Sequence, residues 1–422
     1  MSTVTGIDGA ARTAVESACE QVSEATSEDG VDGVVPALVA RPGATSQVAE
    51  VMRASAGHGL AVVARGRGTK LTWGRPPDRV DLVIDVSALD QVLDHAAGDL
   101  IVETQAGTPL ADVQQAVSSA RQRLALDETV PGGSIGGILS TGASGPGRVA
   151  TGTLRDLLIG VTVVRADGAV AKAGGRVVKN VAGDDIGKLM HGSFGTLAVV
   201  TEAVFRLHPL PADRRFVSVP VAGAVDAHRL TQAVVHAQVV AGALEVDLPT
   251  GGPGTLTVLL EGTDQGVHGR ANATVALSGS GAHAPEAVPD GWGRYPWSVT
   301  ATCDQRATAL KLTFALSGLS DVLTSARRGP VPVQVRGSAG SGVVYGAIEP
   351  GTAPELVAGT VAALRTTCTR HGGSLVVVDA ATAVKATVDS WGPVPAQDLM
   401  QRVKDQFDPD HRLAPGRFVG GI

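Results

Sequence analysis

The six residues Arg65-Gly66-Arg67-Gly68-Thr69-Lys70 directly follow an apolar, strand-like run at 60–64. Glycine tolerates positive φ angles, so a loop of this composition can turn several backbone N–H groups toward one anion. The Thr69 hydroxyl adds a donor, and the three basic side chains add positive charge. The loop therefore predicts a phosphate-binding cradle at the end of a strand, although a tight turn exposed to solvent would explain the same residues.

A second glycine-rich stretch, PGGSIGGILSTGASGPG, occupies residues 131–147. Positions 132–136 formally match G-x-S-x-G, the pattern in which a strand delivers a nucleophilic serine to a helix in α/β-hydrolases. The residues before Ser134 make a poor strand, and Gly137 stands where the hydrolase helix would begin, so a hydrolase is the weaker interpretation. Neither glycine stretch has the spacing of a Rossmann or nucleoside-triphosphate loop. We expect these glycines to leave room for a ligand.

The elements that must position both stretches follow from hydrophobic periodicity. Strands and helices alternate through the first 130 residues, which is typical of an α/β domain. Strands are predicted at 34–40, 60–66, 81–89 and 100–107, and helices at 45–59 and 109–122. From 154 to 208 the pattern predicts strands, including a hairpin that turns at Asp167-Gly168. The second half predicts a separate α+β domain, followed by a last helix at 395–408 with Leu399, Val403 and Phe407 spaced by four.

Composition narrows the class of protein. The chain has 422 residues, 44% of them hydrophobic and 18% charged, which is typical of a globular protein with two domains. A formal net charge of -6 argues against nucleic acid or an anionic membrane as the main partner. No signal peptide or transmembrane stretch is evident, which predicts a cytoplasmic protein. The cysteines (Cys19, Cys303 and Cys368) and the ten histidines have no metal-ligand spacing, so no metal site is predicted.

Six segments occur in an order that resembles the FAD-binding domain of the vanillyl-alcohol oxidase family, also called the PCMH-type flavoproteins. They are ARGRGTK (64–70), PGGSIGGILSTGASGP (131–146), GTLRDLLIGVTVVRADG (152–168), GRVVKNVAGDDIGKL (175–189), GSFGTLAVVTEAVFRLHP (192–209) and FDPDHRLAPGRF (407–418). Each segment is generic alone, but their order is specific. The resemblance covers nearly all of 34–210 and the end of the chain.

The resemblance implies an α+β fold: a PCMH-type FAD-binding domain of two α/β subdomains plus a C-terminal α+β cap domain. The boundaries it predicts are 1–33 for an N-terminal segment, 34–210 for the FAD-binding domain, 211–400 for a cap domain that serves the substrate or a subunit interface, and 401–422 for a segment returning to the FAD-binding domain. The cofactor residues that it implies are Arg65, Gly66, Arg67, Gly68, Thr69, Lys70, Pro131, Gly132, Gly133, Ser134, Gly136, Gly137, Thr141, Ser144, Gly152, Thr153, Gly195, Thr196, Val199, Val200 and Arg417.

Within the family, the chain is most similar to the FAD-binding (E) subunits of glycolate oxidase. This likeness implies an oxidoreductase acting on a small 2-hydroxy acid, with flavoprotein and iron–sulfur partner subunits and a peripheral position at the inner membrane face through them. Two alternatives stay open: an FAD-holding accessory subunit without turnover of its own, and an enzyme acting alone in the manner of D-lactate dehydrogenase.

Several positions depart from the family pattern. Thr69 replaces the histidine that attaches flavin in covalent members, so the FAD is expected to be non-covalent. Asp184 replaces a tyrosine, Ala414 replaces an asparagine, and Ser338 replaces a histidine of the subunit family. No complete catalytic set is recognisable, and the catalytic residues stay unknown. A structural role explains His191 better than a flavin contact does, whereas Lys179-Asn180 and Arg417 are as compatible with a structural role as with a flavin contact.

Overall fold

The computed structural model describes residues 6–176, 186–300 and 305–422. The chain divides into two compact units. Unit 1 comprises Met1–Ala143, Thr153–Pro209 and Pro393–Ile422, and unit 2 comprises Ser144–Gly152 and Leu210–Gly392. Among the described helices, none combines the length and the apolar character needed to cross a membrane.

The first sheet of unit 1 has four strands in the order β1-β2-β4-β3, with β2, β4 and β3 parallel and β1 antiparallel. Its elements are α1 (Gly9–Ala18), β1 (Val22–Glu24), β2 (Leu38–Ala40), α2 (Thr45–Gly57), β3 (Val62–Arg65) and β4 (Leu82–Asp85). Strands β2 and β4 are buried along their whole length, as expected for parallel strands covered on both faces. Helix α2 buries Val48, Val51 and Met52, the apolar face that the sequence predicts.

The second sheet of unit 1 is antiparallel and has the order β5-β6-β10-β8-β9. The elements of this region, in chain order and including a short helix that belongs to unit 2, are β5 (Val92–Ala96), β6 (Ile101–Gln105), α3 (Leu110–Ser118), β7 (Gln122–Arg123), α4 (Ile135–Thr141), α5 (Arg148–Thr151, unit 2), α6 (Leu154–Leu157), β8 (Leu158–Val164), β9 (Val170–Gly174), α7 (Ile186–Met190), β10 (Val199–Arg206) and β11 (His208–Pro209). The predicted hairpin turn at Asp167-Gly168 joins β8 to β9, with Gly168 at φ 79°.

Unit 2 is built on an antiparallel seven-stranded sheet in the order β12-β14-β13-β16-β17-β15-β18. Its strands are β12 (Asp213–Val221), β13 (Ala243–Leu248), β14 (Gly254–Gly262), β15 (Thr308–Thr313), β16 (Gln334–Ser338), β17 (Val343–Ile348) and β18 (Leu375–Asp379). Its remaining helices are α8 (Ala224–His236), α9 (Asp264–Ser278), α10 (Leu319–Arg328), α11 (Pro354–Arg370) and α12 (Thr382–Thr387). One hydrophobic core joins this sheet to α8, α9, α10 and α11. The α+β fold class is thus confirmed.

The end of the chain returns to unit 1. Helix α13 (Gln397–Phe407) precedes a short extended segment in which Arg412 O accepts from Val62 N at 2.8 Å and Ala414 N donates to Val62 O at 2.8 Å. These bonds extend the first sheet beside β3, the strand that carries Arg65.

Candidate functional site

A cleft in unit 1 opens where β3 ends and α4 begins. Of the residues proposed from the sequence as cofactor contacts, those lining the cleft are Arg65, Gly66, Arg67, Gly68, Thr69, Lys70, Ser134, Gly136, Gly137, Thr141, Gly195, Val200 and Arg417. The sequence reasoning missed Ala64, Leu71, Val86, Ser140, Phe194 and Ala198, whose ordinary apolar or small side chains carried no chemical signal.

The first glycine loop supplies free donors. Within the described residues, the backbone N–H groups of positions 66–70 have no hydrogen-bond acceptor in the protein. Gly68 has φ 72°, a conformation that glycine adopts without strain. Successive N–H groups without partners can together bind an anion, so the geometry of the loop is compatible with the phosphate cradle that the sequence predicts.

The two glycine stretches meet at Gly66 and Ser134. A Cβ atom at position 66 would overlap the Ser134 hydroxyl and would lie 3.2 Å from Ser134 Cβ. Ser134 is buried and caps α4, its Oγ accepting from Gly137 N at 3.4 Å. No histidine is hydrogen-bonded to this serine among the described residues, so the nucleophile elbow of a hydrolase is not assembled here.

Part of the second stretch, between positions 134 and 141, forms a wall of the cleft, and some of its N–H groups are already in use. Ile135 N donates to Thr108 O at 2.9 Å and Gly136 N donates to Ala106 O at 2.7 Å. A Cβ at Gly136 would lie 2.9 Å from Ala106 Cβ, so the protein's own packing requires this glycine. Neither Gly136 nor Gly137 has a positive φ.

The guanidinium of Arg65 is held by two carboxylates. It donates to Asp29 Oδ1 at 2.9 Å and to Asp85 Oδ2 at 2.8 Å, with the arginine side chain 12% exposed. Burial works against its charge, but the hydrogen bonds and charges of Asp29 and Asp85 outweigh it and raise the pKa of Arg65. The positive charge of Arg65 is therefore neutralised inside the protein.

Two other arginines of the cleft have different surroundings. Arg417 is buried, and its Nη2 donates to Leu71 O at 2.7 Å and Trp73 O at 2.8 Å, so it fixes the chain that follows the glycine loop. The Arg67 side chain is 40% exposed and lies 4.0 Å from Asp90 Oδ2. An exposed ion pair at that distance contributes little to the stability of the fold.

Lys70 also lines the cleft and is buried. It is 6% exposed, and Nζ donates to the neutral Thr69 hydroxyl at 3.0 Å. Burial lowers the pKa of Lys70 to about 8, against a smaller opposing effect of the Glu128 carboxylate. A Cβ at Gly133 would lie 3.0 Å from Nζ, so the ammonium sits between the two glycine stretches.

The remaining residues proposed from the sequence do not line this cleft: Pro131, Gly132, Gly133, Ser144, Gly152, Thr153, Thr196 and Val199. Thr153 caps α6, its N–H and hydroxyl both donating to Asp156 Oδ2. Ser144 and Gly152 belong to unit 2, where Tyr295 and Tyr345 donate to Ser144 O at 3.3 and 3.2 Å. Lys179, Asn180 and Asp184 lie outside the described residues.

A cluster in unit 2 has the composition of a cation site. Ligand atoms of Asp213, Asp264 and His268 lie within 4.8 Å of one another at the surface. Arg215 Nε already donates to Asp213 Oδ2 at 3.2 Å, and exposed acidic groups are common without a bound ion.

The donors of the cleft suit a diphosphate group. These donors are consecutive backbone N–H groups beside a buried ammonium, and the side walls of the cleft include the small residues Ser134, Gly137 and Thr141. The residues that would hold the diphosphate are those of positions 66–70. Cys19 and Cys368 are buried elsewhere, and no cysteine, histidine or tyrosine lines the described cleft to form a covalent flavin bond.

Comparisons with known proteins agree with this geometry. Residues 36–174 match the family model described as "FAD binding domain". The chain therefore carries a PCMH-type FAD-binding domain, and FAD is its cofactor. In sequence it is 28% identical over 218 residues to glycolate oxidase subunit GlcD of Bacillus subtilis, a match that covers 51% of this chain and 46% of that protein.

Two further likenesses differ in what they cover. Glycolate oxidase subunit GlcE of Escherichia coli is 37% identical over 105 residues, which cover 24% of this chain and 30% of that subunit. The chain thus matches less than half the length of either glycolate oxidase subunit. A solved alkyldihydroxyacetonephosphate synthase structure superposes with a TM-score of 0.69 at 14% identity, covering 94% of this chain and 82% of its own, which shows a shared fold.

Proposed function

We propose that this chain is an FAD-dependent oxidoreductase subunit of a glycolate-oxidase-type complex, acting on a small 2-hydroxy acid. The observation that carries the proposal is the cationic cleft with free N–H donors at the end of β3, within a domain that matches FAD-binding proteins. The sequence likeness to two glycolate oxidase subunits supports the substrate class and the presence of partner chains.

Bound FAD would accept the two electrons that leave when a 2-hydroxy acid becomes a 2-oxo acid. This chain's own residues at positions 66–70 would hold the diphosphate. The apolar side chains of Leu71 and Val86, which line the same cleft, would reduce its contact with water. The ionisable side chains lining the described cleft are Arg65, Arg67, Lys70 and Arg417, which bear positive charge near neutral pH. A base for the hydroxyl proton would have to come from outside this cleft.

Two alternatives stay open: an FAD-holding accessory subunit without turnover of its own, and an enzyme acting alone in the manner of D-lactate dehydrogenase. In all three versions the electrons leave through another chain, a quinone or oxygen, because Cys19 and Cys368 are buried in different units and three cysteines cannot ligate a four-cysteine cluster.

Anaerobic stopped-flow absorbance of the FAD-loaded chain with glycolate, D-lactate and L-lactate separates these versions. Flavin bleaching by the chain alone supports an oxidoreductase with its own turnover. Bleaching only after the partner flavoprotein and iron–sulfur subunits are added supports the accessory role. A purified chain that takes up no FAD would contradict the proposal as a whole.

A further inference from the structure

We propose that Lys70 is the cation through which this cleft binds the diphosphate of FAD. The inference rests on FAD binding and does not depend on the substrate proposed above. The sequence offers Arg65, Arg67, Lys70 and Arg417 alike as sources of positive charge, and the tertiary structure separates them.

Two of the arginines already bind other groups of the protein, and the third is exposed to solvent. Arg65 is paired with Asp29 and Asp85, and Arg417 donates to the carbonyls of Leu71 and Trp73. Arg67 is 40% exposed, so water screens its charge. The charge of Arg65 is therefore compensated, that of Arg67 is screened, and Nη2 of Arg417 is already bound to main-chain carbonyls.

Lys70 is buried, and among the described residues its ammonium holds neither a carboxylate nor a main-chain carbonyl. It is 6% exposed, and its hydrogen-bond partner, the Thr69 hydroxyl at 3.0 Å, is neutral. Glu128 acts on it through space, without a hydrogen bond between the two side chains. Burying an ammonium without an ionised partner is costly, and proteins retain such an arrangement where a ligand completes it.

The position of Lys70 identifies the part of FAD that completes it. Lys70 ends the run of free N–H groups at 66–70, and its Nζ lies against Gly133 of the second glycine stretch. The diphosphate carries the permanent negative charge of FAD, whereas the oxidised flavin ring and the adenine are neutral. An ammonium and successive N–H donors together are the usual surroundings of a phosphate group.

The test compares Lys70→Met with Lys172→Met in the full chain stripped of FAD. Lys172 lies in unit 1 outside the cleft, with its side chain 71% exposed, and it controls for the loss of one positive charge. Binding of FAD is followed at pH 7 by flavin fluorescence, ADP serves as the competing probe, and thermal unfolding of the FAD-free chain is recorded alongside.

We expect K70M to weaken both FAD and ADP by about tenfold to a hundredfold, the range for a lost charged hydrogen bond. The FAD-free K70M chain should unfold at a higher temperature than wild type, because the cost of burying a charge is gone. K172M should match wild type in each measurement.

Three results would overturn the proposal: unchanged FAD binding by K70M, weakened FAD with unchanged ADP, or a lower unfolding temperature accompanied by the loss of both ligands. The second result would place the ammonium on the flavin, and the third would make Lys70 structural. If the Lys70→Met variant does not fold, Lys70→Gln takes its place in the same measurements. A chain that binds FAD through Lys70 but is not reduced by any hydroxy acid would contradict only the proposed function.

Discussion

Gly66 lies so close to Ser134 that a methyl group at position 66 would overlap the serine hydroxyl. The two residues belong to glycine stretches that are far apart in the sequence, and their approach brings both stretches to one cleft. Ser134 also caps α4, so a displaced side chain would disturb the helix that forms one wall.

Gly66→Ala should therefore weaken FAD binding and lower stability, since the new Cβ displaces Ser134. Adding Ser134→Gly removes both atoms that the Cβ would meet and should restore most of the FAD affinity. Ser134→Gly alone should cost only a few tenths of a kcal/mol, because glycine is itself a tolerated N-cap. A double-mutant cycle on FAD affinity and unfolding measures the coupling. Additive effects would show that the contact does not matter.

Gly136 and Gly137 should respond differently to alanine. A Cβ at Gly136 meets Ala106 at 2.9 Å, so Gly136→Ala should lower the unfolding free energy by about 1–3 kcal/mol through overpacking. A Cβ at Gly137 would lie 3.1 Å from the Ser134 hydroxyl, and Gly137 lines the cleft. Gly137→Ala should therefore act mainly on the affinity for FAD. Urea unfolding of the FAD-free chains and FAD titration separate the two effects. Equal losses of stability would contradict the assignment.

The affinity for FAD should fall as the pH rises above about 8. The pKa of Lys70 in the free chain is about 8, lowered by burial against the opposing charge of Glu128. The binding form is the ammonium, which is fully present below that pKa and is lost as the pH rises through it, and bound diphosphate would shift the loss to higher pH. FAD dissociation constants between pH 6.5 and 9.5 measure this. In K70M the profile should be flat, and a wild-type slope persisting there would assign the titration to another group.

Lys404 is fully buried, and we expect it to contribute strongly to the stability of unit 1. Its Nζ donates to Asp408 Oδ2 at 2.7 Å, Thr196 O at 2.8 Å and Leu413 O at 3.0 Å. Burial lowers the pKa of Lys404, with Asp408 opposing the shift. Lys404→Met leaves the buried Asp408 without its cation, and we expect a loss of about 3–5 kcal/mol in the unfolding free energy.

The control for Lys404 is the exposed pair Arg12–Glu24, whose side chains are 41% and 75% exposed. Arg12→Met should change the unfolding free energy by less than about 1 kcal/mol. The double variant Lys404→Met/Asp408→Asn should recover part of the loss, since the amide still accepts from Leu413 N. Urea unfolding of all three variants measures these changes in the unfolding free energy. Equal losses for Lys404→Met and Arg12→Met would contradict the prediction.

Much of unit 1 could be predicted because its signals are local. The apolar runs at 60–66 and 81–89 contain β3 and β4, and the periodicity at 45–59 contains α2. The last predicted helix is present as α13, but its expected apolar face is not the buried one: Leu399 is 54% exposed, and the residue that α13 buries is Lys404. Hydrophobic spacing could not reveal a buried lysine that donates to Thr196 O, which lies 208 residues away in the sequence.

The sequence by itself determined where the chain can bend tightly and which segments are strands or helices, because glycine content and hydrophobic period act over a few residues. Only the tertiary structure decided which positive charge is left for a ligand. Arg65 meets Asp85 and Arg417 meets Leu71 across separations of 20 and 346 residues, and each contact uses a donor of the guanidinium. Lys70 remains charged and buried beside a neutral hydroxyl, a property that belongs to the assembled fold and to no short stretch of sequence.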